Sequence, residues 1–309
     1  MSRSNANGPS AKQLSHRAVL GLALSIALLT SVSLANLSSH KPGETFKDCL
    51  DCPEMVVIPE GHFIMGSSLR EFGSFKNEGP QHRVAIGYPL AVGKYEITVS
   101  EFARFATETG HLSNSGCYYF TGKWWDLGRY NWKDPGFSQT TSDPVVCVTW
   151  TEANAYAAWL SKKTRKRYRL LSEAEWEYVA RSGTMSSRPW GSKLSRDNAN
   201  YGAEGCCQPH SEGTDRSEYT APVGSFAPNK FGLYDMMGNV WEWVDDCWHA
   251  NYDEAPSDGS SWQKQHCAKH VIRGGSWYSP PERVRSAVRY KFGTNINRTK
   301  VGFRIARTL

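Results

Sequence analysis

Gly232-Leu233-Tyr234-Asp235-Met236-Met237-Gly238-Asn239-Val240-Trp241-Glu242-Trp243 holds two glycines, two carboxylates and two tryptophans within twelve residues. It lies in the half of the chain after Arg181, where Gly, Pro and Trp dominate and only short strands are expected. On their own chemistry, Asp235 and Glu242 read as caps and hydrogen-bond acceptors of a tight turn. The whole sequence has the same character, with 27 Gly, 15 Pro and 12 Trp in 309 residues. That mixture indicates a loop-rich globular fold and not a helical bundle. The length is ample for a buried core.

Upstream, the pattern becomes more regular. Met55-Val56-Val57-Ile58-Pro59 and Gly61-His62-Phe63-Ile64-Met65-Gly66 read as two short strands around a Pro-Glu-Gly turn, and His82-Arg83-Val84-Ala85-Ile86 alternates as a third. Three helix starts carry the capping-box spacing: Thr98 with Glu101, Thr149 with Glu152, and Ser172 with Glu175. Residues 111–142 read as a long aromatic loop containing Tyr118, Tyr119, Phe120, Trp124, Trp125 and Trp132, and long loops are often functional. There is no internal repeat. Net charge is +6, but the basic run Lys162-Lys163-Thr164-Arg165-Lys166-Arg167 reads as a solvated helix end. No basic stripe interleaved with aromatics is present, so nucleic acid is not an expected partner. One α+β domain, low in regular secondary structure, is the economical reading.

Residues 1–35 read as an address and not as structure. His16 and Arg17 precede an apolar run, and Ser33-Leu34-Ala35 fits a small-x-small cleavage site. An uncleaved anchor stays open as the alternative, because residues 18–34 approach the length of a membrane span. With cleavage, no stable membrane span remains. Residues 36–48 read as a linker and the folded domain as 49–309. All eight cysteines follow the leader, at 49, 52, 117, 147, 206, 207, 247 and 267. An even count in an exported chain suggests disulfides, with connectivity open and Cys247–Cys267 one plausible bridge. The expected location is periplasmic or secreted.

Several segments in order resemble the formylglycine-generating enzyme, or sulfatase-modifying factor, family. They include Glu78-Gly79-Pro80-Gln81-His82-Arg83-Val84, Lys94-Tyr95-Glu96-Ile97-Thr98, Arg169-Leu170-Leu171-Ser172-Glu173-Ala174-Glu175-Trp176-Glu177, the stretch quoted first, Arg273-Gly274-Gly275-Ser276-Trp277 and Gly302-Phe303-Arg304. The resemblance spans residues 55–306. It implies a C-type-lectin-like domain and a peptide or peptide-derived small-molecule substrate, and leaves the oligomeric state open. It also implies structural Ca²⁺, a hard cation that takes oxygen ligands. One calcium set would be Asp235, Gly238, Val240 and Glu242; a second would be Asn200, Tyr201, Asp215 and Ser217. The alternative is that these residues only brace turns.

The family enzyme holds Cu(I) with two cysteines five positions apart, just before an Ala-x-Arg segment. Anchored on Ala287-Val288-Arg289, those positions here are Pro281 and Ser286, and no cysteine follows Cys267. Soft thiolates select Cu(I) and hydroxyl oxygen does not, so copper is not expected. The segment Ser279-Pro280-Pro281-Glu282-Arg283-Val284-Arg285-Ser286 offers Glu282 as a general acid or base, with Ser286 and Arg289 completing a candidate catalytic set and Ser276 and Trp277 lining its pocket. Against this, Glu282 reads equally as a surface carboxylate paired to a neighbouring arginine, and Trp277 as core. His266 and His270 read as surface histidines on a loop. The chain is similar in character to the periplasmic branch that lacks the copper cysteines and oxidises the chromophore of a siderophore precursor, pyoverdine. A non-catalytic binding module is the alternative, and formylglycine synthesis is disfavoured.

Overall fold

The computed structural model describes residues 40–112, 116–121, 125–193, 195–202 and 213–309. The leader, Trp124 and the Cys206-Cys207 pair lie outside the described residues. A five-stranded antiparallel sheet runs in the order β1 (Thr45–Phe46), β2 (Met55–Ile58), β5 (Leu90–Gly93), β13 (Ile305–Thr308), β8 (Tyr168–Leu170). A four-stranded sheet runs β11 (Arg289–Gly293), β10 (Lys269–Arg273), β9 (Trp241–Cys247), β12 (Val301–Phe303), with β12 parallel to β9. Two hairpins, β3 (Gly61–Met65) with β4 (His82–Ile86) and β6 (Cys117–Phe120) with β7 (Trp125–Gly128), complete the strands. The α+β class with little regular structure is as expected.

All three expected capping boxes form, at the starts of α1 (Val99–Thr109), α2 (Trp150–Thr164) and α3 (Glu173–Arg181). Each Thr or Ser side chain accepts the N3 amide while the N3 Glu accepts the cap amide, so two otherwise orphaned donors are satisfied at each helix start. The basic run at the end of α2 is exposed, as a solvated helix end should be. α3 is different, because every one of its residues is buried. Its glutamates therefore need partners, since an unpaired buried charge is costly. Glu173 takes Arg289, Glu175 takes Arg169, and Glu177 takes both Arg181 and Arg273. Burial alone would raise the carboxyl of Glu177, but Arg181, Arg273 and the amide of Gly66 together hold it below its ordinary range.

Four expectations are corrected. β2 and β3 both exist around the Pro-Glu-Gly turn, yet they do not pair with each other. β2 is buried along its whole length and needs neighbours on both sides, whereas β3 is half-exposed and pairs with β4. The stretch read as linker contains β1, which hydrogen-bonds to β2. The aromatic loop contains the β6–β7 hairpin, which the Cys117–Cys147 disulfide ties to the start of α2. His270 is buried in β10, stacked on Trp150 with ring centroids 3.7 Å apart, and is not a surface loop residue. Disulfides join Cys49–Cys52, Cys117–Cys147 and Cys247–Cys267, and among the described residues no cysteine is free.

Candidate functional site

The residues singled out after the Arg-Gly-Gly-Ser-Trp motif do not converge on one cavity. Arg289 is buried; its Nε and Nη2 each donate to Glu173 at 2.7 Å, and its Nη1 donates to the carbonyls of Asn77 and His249. That commits the guanidinium to packing. Ser286 is also buried; its amide donates to the carbonyl of Ser187, and its carbonyl accepts from Arg273. Glu282 sits on the single turn Pro281–Arg283 and lines a separate groove of about 400 Å³ with Arg70, Glu71 and Arg188. Ser276 and Trp277 are buried, the indole N–H of Trp277 donating to the Thr299 carbonyl at 3.2 Å. They support the neighbouring cleft from beneath.

That cleft, of about 380 Å³, is the more informative feature. One wall is Tyr278, Ser279, Pro280 and Arg283, from the very segment the sequence pointed to, and the other carries Arg298 and Lys300, just ahead of β12. Trp125, Tyr290 and Phe292 add aromatic faces, with Trp241 buried below. Backbone bonds fix the cationic wall. The amide of Trp241 donates to the carbonyl of Lys300, that of Thr299 to Tyr118, and that of Val301 to Arg298. The Arg298 guanidinium lies 4.4 Å from the ring centre of Phe292, and Lys300 Nζ lies 4.1 Å from that of Trp125. No carboxylate lines the cleft, and among the described residues none forms an ion pair with Arg283, Arg298 or Lys300. Burial, with the charges of Arg298 and Arg283, pushes the Lys300 ammonium down to about 7. Burial also lowers Arg298.

Arg298 and Lys300 were missed in the sequence, although a signal exists. From Arg283 to Leu309 there are eight cations and no acidic residue. Arg285, Arg289, Arg304 and Arg307 find carboxylates on distant segments, and Lys291 lies over Trp248. The remaining three meet in the cleft.

The opening Gly-Leu-Tyr to Trp-Glu-Trp stretch forms a second feature. Asp235 and Glu242 are buried together with Glu96, and Arg304 is the cation that touches the group. Glu242 accepts from Arg304 on both oxygens and from the Trp176 indole at 2.8 Å. Glu96 accepts from the amide of Val240 and the side chain of Asn239. Burial, reinforced by the charges of Asp235 and Glu242, raises Glu96 well above the ordinary carboxylate range. Asp235 is pushed up to about 6, chiefly by burial, against the opposing Gly224 amide and Arg304. Three carboxylates facing one guanidinium can all be ionised together only if further positive charge is supplied, and hard oxygens of this kind suit a divalent cation. Gly238 belongs to the same turn at φ 80°, where a Cβ would stand 2.3 Å from the Asn200 carbonyl, so only glycine fits.

The second oxygen set is arranged differently. Asn200 Oδ1 is buried without a partner, as a ligand atom would be. Arg196 Nη2, however, already donates to Asp215 Oδ2 at 3.2 Å and to the Ser217 carbonyl at 3.4 Å. Tyr201 is buried beside them. Here a guanidinium supplies the positive charge, so the fit to a second cation is poorer than at Asp235.

The sulfatase-modifying factor enzyme 1-like domain matches residues 41–309. The chain is 33% identical to the formylglycine-generating enzyme of Thermomonospora curvata, over 82% of this chain and 92% of the relative. It is 28% identical to the inactive C-alpha-formylglycine-generating enzyme 2 of Mus musculus, covering 82% and 87%. Among solved structures, PvdO from Pseudomonas aeruginosa superposes with a TM-score of 0.77 at 42% identity, covering 88% of this chain and all of that one. The fold, the ordered motifs and these matches agree: the chain belongs to the formylglycine-generating enzyme and sulfatase-modifying factor family.

Proposed function

We propose that this protein is an exported oxidative maturation enzyme of the branch without copper cysteines, acting on a pyoverdine-type siderophore chromophore. The observation that carries this reading is the 42% identity to PvdO along that protein's entire length. Chemistry supports it. No cysteine follows Cys267, and among the described residues all six cysteines are consumed in disulfides and offer no thiolate pair to Cu(I). The disulfides suit an oxidising compartment such as the periplasm. The cleft suits a flat ring stacked on Trp125 or on Tyr278, whose planes meet at 84°, with Lys300 able to take or give a proton near neutral pH. Glu282, Ser286 and Arg289 are replaced in this proposal by Lys300, Arg298 and Tyr278. Ca²⁺ would be held by Asp235 with the Gly238 and Val240 carbonyls and Glu242, where it would stabilise the turn that leads into β9.

The test is conversion of a non-fluorescent pyoverdine precursor by the purified mature protein, followed by fluorescence and mass spectrometry. Appearance of the fluorescent chromophore supports the reading. A protein that binds the precursor and releases it unchanged would be a binding module instead.

A further inference from the structure

Three cations without carboxylate partners, set among aromatic faces, form an unusual surface. Elsewhere in the C-terminal segment a guanidinium that leaves water is given a carboxylate: Arg285 pairs with Glu71 and Glu78, Arg289 with Glu173, Arg304 with Glu242 and Arg307 with Asp48. Arg298 is half-buried, its Nε has no hydrogen-bond partner, and its flat face is packed on Phe292, Tyr118 and Trp125. Lys300 is half-buried between Trp125 and Tyr278, and Arg283 closes the rim against Tyr290. Cation–π contacts soften the loss of water but do not neutralise charge. The backbone bonds that anchor residues 298–301 hold these like charges together although they repel.

We propose that this cleft binds a planar aromatic ring bearing an acidic substituent, the ring stacked on one of Trp125 and Tyr278 and meeting the other edge-on, since their planes cross at 84°, and the anion seated on Arg298 and Lys300, with Arg283 at the rim. A neutral ring would satisfy the walls and leave the cations unpaired. An aliphatic anion would satisfy the cations and forgo the stacking. Only the combination uses both sets of groups, and a charge-assisted hydrogen bond from a guanidinium is among the stronger contacts a cleft can offer. The inference deepens the proposed function by naming what its substrate must carry, and it rests on that reading only for the reaction that follows binding.

The experiment is calorimetric titration of the full mature protein with 3,4-dihydroxybenzoate, with 3,4-dihydroxybenzamide as the neutral isostere and succinate as the aliphatic anion. The benzoate is expected to bind at least ~10-fold more tightly than either control, the loss of roughly one good charged contact. The variant Arg298→Gln/Lys300→Gln should lose that preference without a lower melting temperature, since the change removes repulsion and leaves no carboxylate unpaired. Trp125→Ala should weaken the benzoate and benzamide alike, reporting the wall separately from the charges. Equal binding of acid and amide, no binding of the benzoate at millimolar concentration, or an unchanged preference in the double variant would each overturn the proposal. Benzoate binding without conversion of a pyoverdine precursor would sink the proposed reaction and leave the ligand class standing.

Discussion

Asp235→Asn should raise the stability of the protein when calcium is chelated and lose most of that advantage when calcium is present. The reasoning starts from three buried carboxylates, Glu96, Asp235 and Glu242, arranged about one guanidinium, Arg304. Asp235 is moved from its ordinary 3.8 to about 6, which corresponds to at most about 3 kcal/mol against its ionised form. Because the folded value lies above the unfolded one, stability without calcium should fall as pH climbs from about 4 through about 6. The amide side chain removes the charge but keeps an oxygen for the Gly224 amide. Asp235 sits at φ 55°, a left-handed conformation that asparagine tolerates, so backbone strain does not enter. In a domain of this size about 1 kcal/mol moves the melting temperature by roughly 2–4 °C, which makes the gain in EGTA as much as roughly 6–12 °C. In calcium the wild type should regain about 2.7 kcal/mol at a hundredfold excess over its dissociation constant, and the variant, which keeps a ligand oxygen but not its charge, should regain less. The assay is differential scanning fluorimetry of both proteins with EGTA and with calcium, across pH 4 to 8. If EGTA leaves the wild type unmoved and Asp235→Asn destabilises equally in both conditions, the carboxylates are balanced without a cation and only the turn-bracing role survives.

Arg304→Met should destabilise by about 3–5 kcal/mol in urea unfolding, because it strands Glu242 without its buried partner. Replacing Cys247 and Cys267 by serine opens a loop spanning 20 residues and should cost about 3 kcal/mol. Intact mass with and without reductant should show no free thiol at the six described cysteines of the exported protein, and a start after residue 35. Burial holds the folded Lys300 ammonium below its unfolded value, so ligand-free stability should rise as pH increases from about 7 toward 10.5. Lys300→Gln should flatten that slope in the same melting series. A sulfatase-motif peptide should stay unconverted with or without added copper, as read by mass spectrometry.

Much of the fold was legible because it rests on local chemistry. Thr98, Thr149 and Ser172 announce their helices through side chains that reach only three residues ahead, and all three caps form. Strand pairing was less legible, because β2 and β3 are adjacent in sequence yet belong to different sheets, and only long-range burial decides that. The candidate site was half legible. The segment after Arg273-Gly274-Gly275 does reach a cleft, but through Tyr278, Ser279 and Arg283. Glu282 turns to a separate groove, and Arg289 is claimed by Glu173, more than a hundred positions earlier. Which cation finds a carboxylate depends on the topology, so Arg298 and Lys300 could not be told from Arg304 and Arg307 by spacing.

The order in which the chain emerges gives the acid-free C-terminal segment a consequence for biogenesis. Its arginines answer Asp48, Glu78, Glu173 and Glu242, and its last strand, β13, is inserted between β5 and β8. A nascent chain that stops before Arg304 lacks β13 between β5 and β8 and leaves Asp48 and Glu242 without their arginines. Completion of the five-stranded sheet and of these buried ion pairs therefore waits on residues 304–308, so a local change there is felt by segments laid down more than two hundred positions earlier.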